Sequence, residues 1–209
     1  MRTGPDFRED HTLNDGTRIV LRHIHPDDAG ELRAAFDRLS PASRYRRFFA
    51  GMPSLSPAAL RYLTEVDGRD HVAILATASS PDLKSELVLG VGRFIRLQED
   101  PTVAEAAVTV VDDTQRKGLG RILALTLAEA ACERGIRTFR VDVLSDNEPM
   151  RTILDEAGAV VRARDGGIIT YDIALESFVP TPGGFIDRLF HAAEDSVAIL
   201  WRRLVPPQS

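Results

Sequence analysis

Val108-Thr109-Val110-Val111-Asp112-Asp113-Thr114-Gln115-Arg116-Lys117-Gly118-Leu119-Gly120-Arg121 is the stretch on which the fold turns. It begins as a β-branched run, which favours a strand, and passes through polar turn residues into a Gln-Arg-Lys-Gly-Leu-Gly loop. The apolar segment Ile122 to Cys132 follows with helical character. A strand that feeds a glycine loop at a helix start makes an anion site. The first backbone N–H groups of the helix have no internal partner, and the helix dipole favours negative charge there. Gly118 and Gly120 let backbone approach such an anion, and Arg116, Lys117 and Arg121 bring positive charge. Two common phosphate loops do not fit. No stretch supplies G-x-x-x-x-G-K-[ST], and Leu123 stands where a dinucleotide fingerprint needs its third glycine.

Upstream, Thr102 to Val111 reads as a strand that carries one charge, Glu105. A carboxylate in such a run either faces solvent or faces a cleft, where it can act as a general base. Downstream, Phe139 to Leu144 alternates apolar and polar as a half-buried strand does. Ser145, Asp146 or Asn147 then caps a helix, with Pro149 in its first turn and Gly158 at its end. Capping accounts for Asn147 without a ligand.

Gln115-Arg116-Lys117-Gly118-Leu119-Gly120, set between this strand and this helix, resembles the pyrophosphate loop of the GNAT family of N-acetyltransferases. The resemblance implies an α/β (α+β) fold with a mixed, mostly antiparallel central sheet flanked by helices. It implies acetyl-CoA as co-substrate and no metal. The residues from Gln115, Arg116, Lys117, Gly118, Leu119 and Gly120 to Arg121 would then hold the pyrophosphate. The edge of Val108, Thr109 and Val110 would pair with the pantetheine arm, and a backbone N–H near Val110 would polarise the thioester. Asn147 would touch the cofactor, and Glu105 would be the general base of a direct transfer. Many family members carry a tyrosine as general acid seven residues after this Asn; here that position is Leu154. Asp15-Gly16-Thr17, His25-Pro26-Asp27-Asp28 and Leu39-Ser40-Pro41-Ala42-Ser43-Arg44-Tyr45-Arg46-Arg47-Phe48-Phe49 are similar to the acetyltransferase domain of bacterial Pat-type protein acetyltransferases. That likeness implies a protein lysine ε-amine as acceptor. A small amine as acceptor, and a non-catalytic CoA-binding or assembly module, are the alternatives.

Composition sets the wider frame. A chain of 209 residues with 44% hydrophobic and 27% charged content is long enough for one globular domain with a sizeable core. A net charge of −5 does not suggest nucleic acid as a partner. No apolar run reaches the roughly 18 residues that span a bilayer, no signal peptide is evident, and the single Cys132 fits a reducing compartment; a cytoplasmic location is expected. Cys132, in an Ala-rich helix, reads as a packing residue, and the five histidines lack metal-ligand spacing. The pattern predicts strands at Thr17–Arg22, Val72–Ala78 and Glu86–Leu97, the last with a bulge hinted by Gly90 and Gly92. It predicts helices from Pro26, at Ser43–Phe49 and at Ser56–Leu63, and a closing hairpin about Asp165-Gly166-Gly167. Residues 1–12 are expected to be disordered, 13–175 to form the GNAT domain, and 176–209 to form a linker and an amphipathic helix. Ile186, Leu189, Phe190, Ala193, Val197, Leu200, Trp201 and Leu204 form the stripe of that helix, suited to packing on its own domain or to a homodimer, with binding to a membrane surface through Trp201 as the alternative.

Overall fold

The computed structural model describes residues 2–41, 43, 54–79, 86–178, 183–185 and 188–189. Its strands are β1 (Arg8–Thr12), β2 (Arg18–His23), β3 (His71–Ser79), β4 (Glu86–Arg96), β5 (Val103–Val110), β6 (Thr138–Leu144), β7 (Val160–Asp165) and β8 (Ile168–Ala174). They form one sheet in the order β1-β2-β3-β4-β5-β6-β8-β7. Every pairing is antiparallel except β5 with β6. Four α-helices flank it among the described residues: α1 (Ala29–Asp37), α2 (Pro57–Thr64), α3 (Leu119–Glu133) and α4 (Glu148–Glu156). The mixed sheet flanked by helices agrees with the expected fold. The predicted helix at 43–49 beyond Ser43, with its Arg44-to-Phe49 motif, and the C-terminal stripe apart from Leu189 lie outside the described residues.

Strand alternation divides the core between the two faces. Ala104, Ala106, Val108 and Val110 of β5 turn toward α3, where they pack with Leu119, Leu123 and Leu127 and with Val141, Ile169 and Tyr171. Ala107 and Val111 turn the other way, under Leu32, Phe36, Leu60 and Leu63 of α1 and α2. A fully buried leucine such as Leu123 contributes about 2 kcal/mol by leaving water. The short 3-10 turn Pro26–Asp28 that leads into α1 is fixed by a capping box. The His25 N–H donates to Asp28 Oδ2 at 2.6 Å, and Asp28 is gripped by both terminal nitrogens of Arg22 at 2.7 and 2.9 Å. In β4 the bulge falls where Thr77 pairs with Val88 and Ala76 with Gly90, leaving Leu89 extra.

Two local expectations are corrected. Residues 8–12 are the edge strand β1, paired along its whole length with β2. The segment is polar (Arg-Glu-Asp-His-Thr) because an edge strand needs charge to discourage further pairing, and polarity of that kind reads as disorder in a sequence. Buried Phe7 and Leu13 flank it, and Thr3 donates to Glu133 through both N–H and hydroxyl. Cys132 is exposed rather than packed, because the buried stripe of α3 runs through Ala128, Ala130 and Ala131.

Candidate active site

The sheet opens into a fork beside β5. Pairing with β6 covers only Val103, Ala104 and Glu105, opposite Thr138, Phe139 and Arg140. Beyond Glu105 the two strands part, while β5 continues to Val110 against β4. Backbone direction alternates along a strand, so the groups facing the fork can be assigned. Val111 donates its N–H to Leu89 of β4 and so points away from the fork. The Val110 carbonyl points the opposite way and accepts from Gln115 Nε2 at 3.3 Å. The Thr102 carbonyl, on the same side, accepts from Arg137 and Thr138 at the base of β6. Ala106, Val108 and Val110 therefore direct N–H and C=O into the fork. Thr109 does not. Its carbonyl faces Gly90 of β4, and its hydroxyl lies buried on the α1 side with no hydrogen-bond partner among the described residues.

The glycine loop closes the wide end of the fork. Gly118, at φ 87°, is the N-cap of α3, a left-handed geometry that favours glycine. The helix thus begins at Leu119, so Leu119, Gly120 and Arg121 form its first turn and present their N–H groups outward instead of belonging to the loop. Arg116 is exposed and also left-handed, at φ 62°. Gln115 braces the turn from beneath through Val110 and Asp112. Lys117 differs from expectation: its ammonium pairs with Asp15 at 2.9 Å, and its carbonyl accepts from Asn14. Thr17 and Lys117 hold the Asp15 carboxyl down at about 2, so this pair persists over the working pH range. Arg116, exposed, and Arg121, in the first turn of α3, are the other two cations at this end of the fork.

Glu105 is half-buried at the apex of the fork, on the α1–α2 face of the sheet. His71, Ile95, Glu105, Arg140 and Asp172 stand in one register row across five strands. Arg93, wholly buried, approaches His71 Nε2 and donates to the Leu63 carbonyl. Burial brings the Arg93 guanidinium down to about 9. Burial and the Arg93 charge push His71 down to about 4, which makes its ring neutral and able to accept from Arg93. The Tyr62 ring lies 5.3 Å from that of His71; burial raises its phenol, Arg93 opposes that, and Glu105 adds to it. Beside this group a narrow, mainly apolar pocket is lined by Phe36, Leu39, Leu55, Val91, Arg93 and Thr109.

Asn147 is the N-cap of α4, its side-chain oxygen accepting from the Met150 N–H at 3.3 Å. Leu154 is buried in the core under α4 and offers no proton donor. Sequence reasoning missed Arg93, Arg140 and Asp172. Arg93 had a visible signal, a lone charge inside the apolar run Leu87–Ile95. Arg140 and Asp172 had none, since each sits where an alternating strand is expected to be polar. Among the described residues no group of three or more His, Cys, Asp or Glu could hold a metal ion.

The acetyltransferase (GNAT) family model matches residues 38–158, more than half of the chain. The chain belongs to the GNAT family. Among curated relatives, acetyltransferase Pat of Mycolicibacterium smegmatis is 34% identical over 178 residues, which are 83% of this GNAT chain and 51% of that protein. Acetyltransferase PA5475 of Pseudomonas aeruginosa is 30% identical over 149 residues, 71% of this chain and 78% of that one. The chain thus spans about half the length of the mycobacterial relative. Among solved structures, the GNAT domain of S. lividans PAT superposes with a TM-score of 0.69 at 29% identity, covering 80% of this chain and 96% of that one. The yncA protein of Salmonella typhimurium, solved with its cofactor acetyl-CoA, shares the fold at 15% identity and a TM-score of 0.55, covering 78% and 97%.

Proposed function

We propose that this GNAT protein is an acetyl-CoA-dependent N-acetyltransferase whose acceptor is a protein lysine ε-amine. The observation that carries the reading is the fork, with Glu105 at its apex and unpaired strand groups leading to a glycine-capped helix start. The first-turn N–H groups of α3 receive the pyrophosphate, helped by Arg116 and Arg121. The pantetheine arm lies along Ala106, Val108 and Val110 as an added strand. Glu105 takes a proton from the lysine ammonium, directly or through one water, because only the neutral amine attacks. The amine nitrogen then bonds to the thioester carbonyl carbon, and the Val110 N–H meets the oxyanion. The C–S bond breaks, the nitrogen sheds its extra proton to solvent to leave the neutral amide, and the CoA thiolate takes its proton from solvent, since Leu154 has none to give. The lysine acceptor is supported by the likeness to Pat proteins over most of this chain. The Asn147 amide keeps a cofactor contact in this reading alongside its cap.

The test incubates purified protein with acetyl-CoA and a host lysate and reads new acetyl-lysine, beside Glu105→Gln. The expected result is acetylation of discrete proteins that falls by about 10²- to 10⁴-fold in the variant near neutral pH. Equal turnover by Glu105→Gln would remove the base assignment. CoA binding without protein acetylation would move the acceptor to a small amine, or the protein to a CoA-binding module.

A further inference from the structure

The register row through Glu105 continues into a charged group on the same face of β6, β8 and β7. Phe139, Val141 and Val143 of β6 and Ile169, Tyr171 and Ile173 of β8 are buried on the α3 side. Alternation therefore places Arg140 and Asp172 on the face of Glu105. Arg140 is directly opposite Glu105 in the parallel pair, about 5 Å away across the sheet. Asp172 is directly opposite Arg140 in the next pair. The contact between them is bidentate, with Arg140 Nε to Asp172 Oδ1 at 2.7 Å and Nη2 to Oδ2 at 3.0 Å. Arg162 of β7 adds Nε to Asp172 Oδ2 at 2.6 Å. The Asp172 side chain is only 4% exposed, against 26% for Arg140 and 56% for Arg162.

We propose that Asp172 is a positioning residue for Glu105, holding the Arg140 guanidinium one strand away and sharing its charge between two carboxylates. This rests on the reading of Glu105 as the general base. A fork geometry fixes the backbone distance between Glu105 and Arg140, and the two-point grip of Asp172 fixes where the cation itself sits. Were Arg140 unshared, its full charge would favour the carboxylate form of Glu105 and make it a poorer proton acceptor. The electrostatics agree with the geometry. Hydrogen bonding to Asp172 raises Arg140 most, burial opposes this, and Glu105 and Glu99 contribute further. Burial works to raise Asp172, yet Arg140 and Arg162 outweigh it and hold the carboxyl below its ordinary range. From the other side Glu105 is faced by Tyr62 of α2. Arg93 on β4 and His71 on β3 lie on the same face.

The purely structural alternative is a salt bridge that ties β6, β7 and β8 together. The two roles separate in the titration of Glu105, followed in the full chain by carboxyl-carbon NMR of 13Cδ-labelled glutamate and assigned with Glu105→Gln. Arg140→Gln removes the cation, and the Glu105 midpoint should rise by about 1 pH unit. Asp172→Asn leaves the cation undivided, and the midpoint should fall by about half a unit. Opposite shifts support the proposal; shifts of the same sign, or none, overturn it. Should Asp172→Asn fail to fold, Arg140→Gln decides alone, with no rise counting against the proposal. Opposite shifts together with wild-type turnover by Glu105→Gln would retain the network and remove the base reading. Lost turnover in Glu105→Gln without the shifts would do the reverse.

Discussion

Gly90 is the tightest glycine of the sheet, and its replacement by alanine gives a measurable test of how β4, β5 and α3 fit together. It pairs with Ala76 on one side and with Val110 on the other, beneath the first turns of α3. A Cβ at this position would lie 2.8 Å from the Thr109 carbonyl oxygen, 3.0 Å from Leu123 Cδ1 and 3.3 Å from Leu119 Cδ2. The leucine methyls can rotate, but the carbonyl belongs to β5, so the strand itself must move by roughly half an ångström. Overpacking of this kind costs about 1–3 kcal/mol. For a chain of this length each kcal/mol corresponds to about 2–4 °C, so Gly90→Ala should melt about 2–12 °C below wild type. Gly92 supplies the control. A Cβ there meets nothing nearer than the Leu123 carbonyl at 3.5 Å, an ordinary contact. Gly92→Ala should melt at or slightly above wild type, since alanine restricts the unfolded chain. Thermal unfolding of the two variants under one condition reads both. The reasoning is refuted if Gly90→Ala melts with wild type, or if Gly92→Ala loses as much. Because β5 also carries the Val108 and Val110 edge, Gly90→Ala should in addition weaken acetyl-CoA binding, read by calorimetry.

His71 has a lowered value in the folded chain, about 4 against an ordinary 6.5, so between these pH values the unfolded chain binds the extra proton. Its contribution is present above about pH 6.5 and lost as pH falls toward 4; the ceiling near 3 kcal/mol shrinks to about 2 because the ring is partly exposed. The wild-type stability curve should therefore fall more steeply through this window than that of His71→Gln, which keeps an acceptor for Arg93, and parallel urea titrations would disprove the assignment. Asn147→Ala should cost about 1 kcal/mol through loss of the α4 cap. Asn147→Ser should restore that stability while leaving acetyl-CoA affinity reduced; recovery of both would limit Asn147 to capping.

The local pieces were legible because local chemistry makes them. Alternation marked β6, the β-branched run marked β5, and Gly118, Pro149 and Gly158 punctuated α3 and α4 where the structure has them. Gly166 and Gly167, both with positive φ, turn the last hairpin as their pairing suggests. Where composition misled, the surroundings had outweighed it: β1 is a polar segment made into a strand by β2 and anchored by Phe7. The sequence by itself determined the strand–loop–helix unit and a carboxylate upstream of it, since turn chemistry and periodicity act over a few residues. Only the tertiary structure decided that β5 and β6 part after Glu105, that Lys117 is taken by Asp15, and that Glu105, Arg140 and Asp172 share one row. The fork and the row depend on strand register between segments about 30 residues apart in sequence, and the Lys117–Asp15 pair on the meeting of two loops about 100 residues apart. A register shift of one residue would turn the Glu105, Arg140 or Asp172 side chain to the other face.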